Sequence, residues 1–470
     1  MGTAALPPFQ SNTQMTIDLW WSGVRAVQAD EAIAGCLEWQ ADRLCIRGIE
    51  QPVRFADHQQ VLVVGGGKAA AWLGQALWKS FQQQDHCPWE MSGWLNVPQQ
   101  NFPEPASGPI HFHAARPAGR NEPTPEAMAG TARIRQMLQN APAHTLCICL
   151  LTGGGSALLV DPIPEVSLEE KLEVTQMLSR RGANIHQLNA VRTALSRIKG
   201  GGLLLHAPSQ RWITLAISDV LDDHLATLAS GPTVPRPLDW REKAMAVLAA
   251  MERKEEPWPM GVAKATEKWA DSLRMPQSMI QPHPPIRSDY ALLANNQRAL
   301  QAASRHAESL AIEVDILPTD RDEGDWRSVA NQLVHRWIEN DNTAAGSTQC
   351  ILSGGEPTVT LPSNHGKGGR NQQLTLGVLC RLIELGRIDL LRCGVFLSAG
   401  TDGEDGPTNA AGAWIDQSAW MAAQQLGLDP FDFLDRCDAY SFFDQIGTLF
   451  HSGPTRTNVC DLRTALSTTQ

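Results

Sequence analysis

Val61-Leu-Val-Val-Gly-Gly-Gly-Lys-Ala-Ala70 carries three structural states in one short run. Residues 61–64 are branched and apolar, as in a strand covered on both faces. Three glycines follow, which permit a sharp turn and a close approach of ligand to backbone. The Ala-rich continuation to about Phe81 reads as a helix. Strand, glycine turn and helix together aim backbone N–H groups at an anion. Lys68 stands at the helix start, where a cation costs up to ~1 kcal/mol unless a negative ligand relieves it. A lysine stem can equally run out to solvent. The turn matches neither a Walker A loop nor a full Gly-x-Gly-x-x-Gly fingerprint.

The same pattern recurs outward from this point. Thr145–Leu151 is a second buried strand entering Thr152-Gly153-Gly154-Gly155-Ser156, and Ser156 adds a hydroxyl suited to phosphate or substrate. Trp212–Ile217 ends in Ser218-Asp219, where a carboxylate either meets a ligand beyond the strand or caps the next helix. A Pro-rich stretch, 232–285, holds helices at Trp240–Arg253 and Gly261–Leu273 and reads as an interdomain connection. A second βα series follows: strand Tyr290–Ala294, helix Ala299–Leu310, strand Ile312–Leu317, helix Trp326–Glu339 and strand Gln349–Leu352 into Ser353-Gly-Gly-Glu356. A strand at Pro357–Leu361 leads to Gly368-Gly369-Arg370-Asn371 and a helix to Leu385. Val395–Leu397 then enters Thr401-Asp-Gly-Glu-Asp-Gly406, which crowds the carboxylates of Asp402, Glu404 and Asp405. Like charges so close need a cation or a fan of side chains. Oxygen-only ligands suit magnesium, held by Asp402 and Asp405 with substrate phosphates, and a solvated acidic turn is the alternative. At the other end, residues 1–14 read as a tail, Thr16–Ile49 as one or two helices, and 98–125, with Arg116 and Arg120, as surface loop.

A chain of 470 residues is long for one core, so two domains are expected. Its formal charge of −11 argues against nonspecific nucleic-acid binding while leaving room for local positive charge around an anionic substrate. The ten cysteines include no Cys-x-x-Cys pair, so neither a zinc site nor a redox motif is expected. No basic and apolar leader and no apolar run near ~20 residues is present, so the expected location is cytoplasmic, away from membranes. Phosphoryl transfer needs the inventory found here, namely Lys68 and Arg370 as cations and Asp219, Glu356, Asp402 and Asp405 as carboxylates.

Longer motifs, in order along nearly the whole chain, carry a family resemblance. Gly67-Lys-Ala-Ala70, Thr152-Gly-Gly-Gly-Ser-Ala-Leu158, Asn189-x-Val-Arg-x-x-Leu-Ser-x-Ile-Lys-Gly-Gly201, Ser218-Asp-Val220 and Ala229-Ser-Gly-Pro-Thr233 resemble the N-terminal half of the glycerate 2-kinase family. Ser353-Gly-Gly-Glu-Pro-Thr-Val359, Gly368-Gly-Arg-Asn-Gln372, Thr401-Asp-Gly-x-Asp-Gly-Pro-Thr408 and Gly453-Pro-Thr-x-Thr-Asn-Val459 resemble its C-terminal MOFRL domain.

The resemblance implies an α/β chain of two domains. A Rossmann-like three-layer domain with a parallel sheet is expected over 1–240, the helical connection over 241–286, and a mixed-sheet MOFRL domain over 287–470, with the active site in the cleft between the domains. It implies ATP-dependent, Mg²⁺-assisted phosphorylation of D-glycerate at the 2-hydroxyl. Lys68, Arg370 and Asp402 take the catalytic positions, and Asp402 and Asp405 the metal. Gly66, Gly67, Gly153, Gly154, Gly155, Ser156, Asn189, Asp219, Glu356 and Asn371 take nucleotide and substrate.

The chain departs from the family pattern in three places. Ala115-Arg-Pro-Ala-Gly-Arg-Asn-Glu-Pro-Thr-Pro125 stands where Gly-His-Pro-x-Pro-Asp-Glu is usual. Leu221-Asp222-Asp223 replaces x-Gly-Asp, and Asp320-Arg-Asp-Glu-Gly324 replaces a Gly-Glu-Ala stretch. Two other functions stay open at this level: an NAD(P)H-dependent hydroxypyruvate reductase, and a metabolite-binding protein on the same scaffold. A homodimer is also open.

Overall fold

The structure, a computed structural model, describes residues 8–99, 108–117, 122–207, 210–221, 223–235, 239–274, 286–318, 324–341 and 347–468. Arg120, Asp222 and Asp320 fall outside them. Along the chain come α1 (Pro8–Arg25), α2 (Ala29–Ala34), β1 (Leu37–Trp39), β2 (Arg43–Ile46), β3 (Val53–Arg54), β4 (Gln60–Gly66), α3 (Ala70–Gln82), β5 (Glu90–Pro98) and β6 (Ile110–Arg116). Then follow α4 (Pro125–Gln139), β7 (Thr145–Leu151), α5 (Gly155–Leu158), α6 (Leu168–Arg180), α7 (Ile185–Ala194), β8 (Arg211–Ile217), α8 (Trp240–Ala250), α9 (Met260–Arg274) and β9 (Ser288–Ala294). The remainder is α10 (Asn296–Ser309), β10 (Glu313–Ile316), α11 (Trp326–Asp341), β11 (Thr348–Gly355), α12 (Arg370–Glu384), β12 (Gly394–Gly400) and β13 (Gly412–Ile415). Finally come α13 (Gln417–Gln425), α14 (Pro430–Asp435), α15 (Ala439–Ile446), β14 (Leu449–Phe450) and β15 (Asp461–Thr468).

Two compact units result: Ile33–Ile217 with Asp223–Leu293, and Met1–Ala32 with Ser218–Asp222 and Ala294–Gln470. The first is a six-stranded sheet in the order β6-β5-β4-β7-β8-β9, with β4 and β7 at its centre. Its pairings from β6 to β8 are all parallel. All seven residues of β7 are buried, as its continuous apolar run requires in a sheet covered on both faces. The strand order reverses between β4 and β7, the place where open α/β sheets form a ligand crevice. Helix ends here follow local chemistry. Thr124 caps α4, whose first residue is Pro125, and full capping boxes, Ser167 with Glu170 and Asn184 with Gln187, start α6 and α7. The residues expected as a connection supply α8 and α9, which pack against α6 and α7 through Val174, Leu178, Val191, Leu248, Val262 and Trp269.

The second unit is a mixed sheet, β10-β11-β15-β12-β13-β14, parallel only at β10–β11. Along β15, Ala465 joins the core formed with α11 and α12. Leu462, of opposite parity, packs against Gly23 of α1. The alternation of side chains along a strand thus gives this sheet a helical layer on each face.

Several sequence expectations change. The tail expected over 1–14 is helical from Pro8, because Asn12, only 6% exposed, donates to the Cys393 carbonyl at 2.7 Å. That contact has no hydrophobic period to announce it. Residues 37–49, expected as helix, instead join residues up to Arg54 in the antiparallel sheet β1-β2-β3. The apolar spacing there fits either element when strands are so short. The loop expected over 98–125 contains β6. Strand β9, expected to open the second domain, is instead the edge of the first sheet. No strand forms at 357–361, where Thr358 makes only an isolated bridge to Asp325.

Candidate functional site

In the first unit the two glycine turns lie side by side because β4 and β7 pair in register through Gly66–Leu151. Gly67 has φ +150°, and a Cβ there would lie 2.1 Å from Thr152 Oγ1, so only glycine fits. The turns are stitched together: Lys68 N–H donates to Gly153 O at 2.7 Å, Ala69 N–H to Thr152 Oγ1 at 3.0 Å, and Gly67 N–H to Asn96 O at 3.2 Å. These three N–H groups, expected to face an anion, serve the protein instead. What the turn offers a ligand is the half-buried Lys68 side chain. Its Cγ lies 3.2 Å from where a Cβ on Gly154 would be, and Nη2 of the buried Arg116 lies 3.5 Å from the same point. Lys68, Arg116, Gly153, Gly154, Gly155 and Ser156 therefore gather at the reversal point, with Gly66 beneath them. Asn189 is half-buried on α7.

The second unit holds the other set. The strand ends of β11, β12 and β15 and the start of α12 converge on Arg370. Its Nε and Nη2 grip both oxygens of Asp461 at 2.8 and 2.9 Å, and Nη1 donates to Glu356 at 2.5 Å. Three of the five guanidinium donors are thereby committed. Burial works against this charge, but Asp461 and Glu356 outweigh it and hold the group above the usual arginine range. Asp461, fully buried, also accepts from Asn371 Nδ2 at 2.9 Å. Asp219 belongs to this unit, where its carboxylate accepts from Asn458 at 3.4 Å and its carbonyl from Cys460 at 2.9 Å.

Asp402 and Asp405 differ sharply. Asp405 is 2% exposed and accepts the backbone N–H groups of Asn371 and Gln372 at 3.0 and 2.9 Å, so both oxygens anchor the start of α12. Half-buried Asp402 turns one oxygen to the Glu404 N–H at 3.0 Å. Among the described residues, no three His, Cys, Asp or Glu side chains are grouped to hold a metal. Asn458, Lys199 and Ser230 stood inside the sequence motifs without a role assigned to them, and Asp461 stood in none. Asp461 opens β15, DLRTALST, whose mixed sequence carries neither a continuous apolar run nor a glycine turn, and its partner Arg370 is 91 residues away.

Burial pushes the Asp405 carboxyl up to about 7 from 3.8, despite the two helix N–H donors that favour its charge. An acid held higher in the folded than in the unfolded chain costs stability once ionised. The cost is absent below about 4 and complete above about 7. Measured by urea midpoint, the parent should therefore lose stability relative to Asp405→Asn as pH rises from about 4 to about 7. A pH-independent difference between the two would remove this account.

Comparison with known proteins finds relatives for both halves of the chain. Residues 16–265 match a domain of unknown function (DUF4147), and residues 349–461 match the MOFRL family. Glycerate kinase of Macaca fascicularis is 36% identical over 392 residues, 73% of this chain and 93% of that protein. D-glycerate 2-kinase of Thermotoga maritima is 28% identical, over 88% of this chain and 93% of its own. The crystal structure of glycerate kinase from Thermotoga maritima superposes with a TM-score of 0.77 at 26% identity, covering 97% of this chain and all of that one. No helix among the described residues is long and apolar enough to cross a membrane. With both halves matched by family models and relatives above 30% identity spanning most of its length, the chain belongs to the glycerate kinase family.

Proposed function

We propose that this chain transfers the γ-phosphoryl group of ATP to the 2-hydroxyl of D-glycerate, forming 2-phosphoglycerate. The observation that carries this reading is the gathering of Lys68 and Ser156, from the two glycine turns, with Arg116, from the end of β6, at the reversal point of a parallel sheet. Open α/β sheets bind phosphorylated ligands at such points. Lys68 balances phosphate charge, and Gly66, Gly67 and Gly153–Gly155 let the ligand approach a backbone without side chains. Ser156 and Asn189 offer polar groups to nucleotide or acceptor.

In the second unit, Glu356 and Asp461 hold the Arg370 guanidinium in one orientation, so no reorganisation is needed when charge develops. Asn371 and Asp219 complete its polar lining. Magnesium fits one position in this set: Asp402 is a hard oxygen donor that would hold the ion together with nucleotide phosphates. When bound, the ion supplies neutralisation of phosphate charge. Asp405, expected beside it as a ligand, is better placed to hold α12, and through Asn371 it supports the same site.

A coupled assay tests the reading. Glycerate with ATP and magnesium should yield ADP and 2-phosphoglycerate, and Asp402→Asn should raise the magnesium requirement. Oxidation of NADH by hydroxypyruvate without ATP would replace the kinase with the reductase, and tight glycerate binding without turnover would leave a binding protein.

A further inference from the structure

Lys199 is a buried nucleophile that the reaction above does not use. It precedes Gly200 and Gly201, and only 1% of it is exposed. Its Nζ lies 2.6 Å from Ser156 Oγ, 2.9 Å from the Ser156 carbonyl oxygen and 3.2 Å from Ser230 Oγ, and the two hydroxyls are 2.9 Å apart. One amine and two hydroxyls thus close a hydrogen-bonded ring.

The ring is held rigidly from outside. Gly200 N–H donates to Ser230 O at 2.9 Å and Gly201 N–H to Gly231 O at 2.7 Å. Ala229 and Ser230 both adopt positive φ, +51° and +62°, which non-glycine residues keep only where the surroundings enforce it. Of the three residues, Ser156 is the one that is partly exposed, in the short α5 just beyond the end of β7.

We infer that Lys199 is a positioning residue that takes up the proton of the reacting hydroxyl through Ser156, an inference that rests on the kinase reading above. The acceptor O–H bond breaks and its proton passes to Ser156 Oγ, while the proton of Ser156 passes to Lys199 Nζ. The acceptor oxygen bonds to the γ-phosphorus as the bond to the ADP oxygen breaks, and that electron pair leaves with ADP. After product release the lysine returns its proton to water by the same route. Burial first, then the charges of Lys171 and Arg192, disfavour the ammonium form before the reaction, as a proton acceptor requires.

The other reading is that Lys199 merely ties its loop to the 152–156 turn. Arginine keeps a charge and hydrogen-bond donors but cannot accept a proton. Lys199→Arg should therefore lower kcat by roughly 10²–10⁴-fold, the usual range for a positioned acid–base group, with KM little changed. Ser156→Ala should fall by a similar factor, and the double variant should fall no further than either single one. Methylamine should restore turnover to Lys199→Ala.

Lys199→Arg within threefold of the parent with an unaltered pH profile overturns the inference, as do multiplicative losses in the double variant. If Lys199→Arg does not fold, a Ser156→Ala variant at parental kcat overturns it alone. Should the parent turn over no glycerate, the kinase reading fails separately, and a fluorophosphonate decides the inference. Labelling of Ser156 that is lost in Lys199→Arg supports it, and labelling that is absent or unchanged overturns it.

Discussion

Arg370→Lys should lose about 10³-fold or more in kcat. A transition-state arginine is worth ~10³–10⁵ in rate, or about 4–7 kcal/mol. Lysine retains the charge but not the planar fork that holds both Asp461 oxygens while meeting Glu356. The structure alters what should happen to stability. A surface arginine could be replaced for ~0.5 kcal/mol or less. Here Arg370→Ala strands the fully buried Asp461, and removing one partner of a buried pair costs about 3–5 kcal/mol. The Asn371 contact to Asp461 offsets part of that cost. Thermal melts should therefore rank parent above Arg370→Lys above Arg370→Ala, while both variants are nearly inactive. Asp461→Asn, which leaves the guanidinium present but less firmly oriented, should fall between parent and Arg370→Lys in kcat. Parental turnover in Arg370→Lys would assign the residue to the fold alone.

Lys68→Met is the second large effect. Methionine preserves an unbranched stem over Gly154 and deletes only the ammonium, and the backbone stitch of residue 68 to Gly153 does not depend on the side chain. The melt should stay within a few degrees of the parent. Removing one preorganised charge partner from a phosphate site should lower kcat by about 10²–10³-fold, near 3–4 kcal/mol. A folded Lys68→Met enzyme within threefold of parental turnover would show that the positive group acting on phosphate lies elsewhere, with Arg116, at the end of β6 beside Gly154, the nearest candidate.

Much of the chain was readable where a local period or a cap dominates. The expected strand Thr145–Leu151 is β7 residue for residue, and α4 begins at Pro125, under its Thr124 cap, where the loop expected over 98–125 ends. A run of buried apolar residues admits few alternatives, and a cap is a contact within four residues. The glycine turns were also readable, since only glycine tolerates the φ and the approach found at Gly67.

Their use was not readable. Side-by-side turns satisfy one another's N–H groups, and that depends on β4 and β7 being neighbours, a fact of sheet order. Asp405 shows the same limit. Three crowded carboxylates suggest a cation in sequence, but one of them turns inward onto the first N–H groups of α12, more than thirty residues before it in the chain.

The amino-acid sequence by itself thus determined the α/β class, the placement of most long elements and the family to which the chain belongs, because these depend on periodicity and short motifs. Tertiary structure alone decided that β9 closes the first sheet, that Pro8–Arg25 packs on the second, and that Arg370 meets Asp461 and Lys199 meets Ser156. Each joins residues distant in the chain, and no local pattern encodes a contact whose partner is chosen by packing.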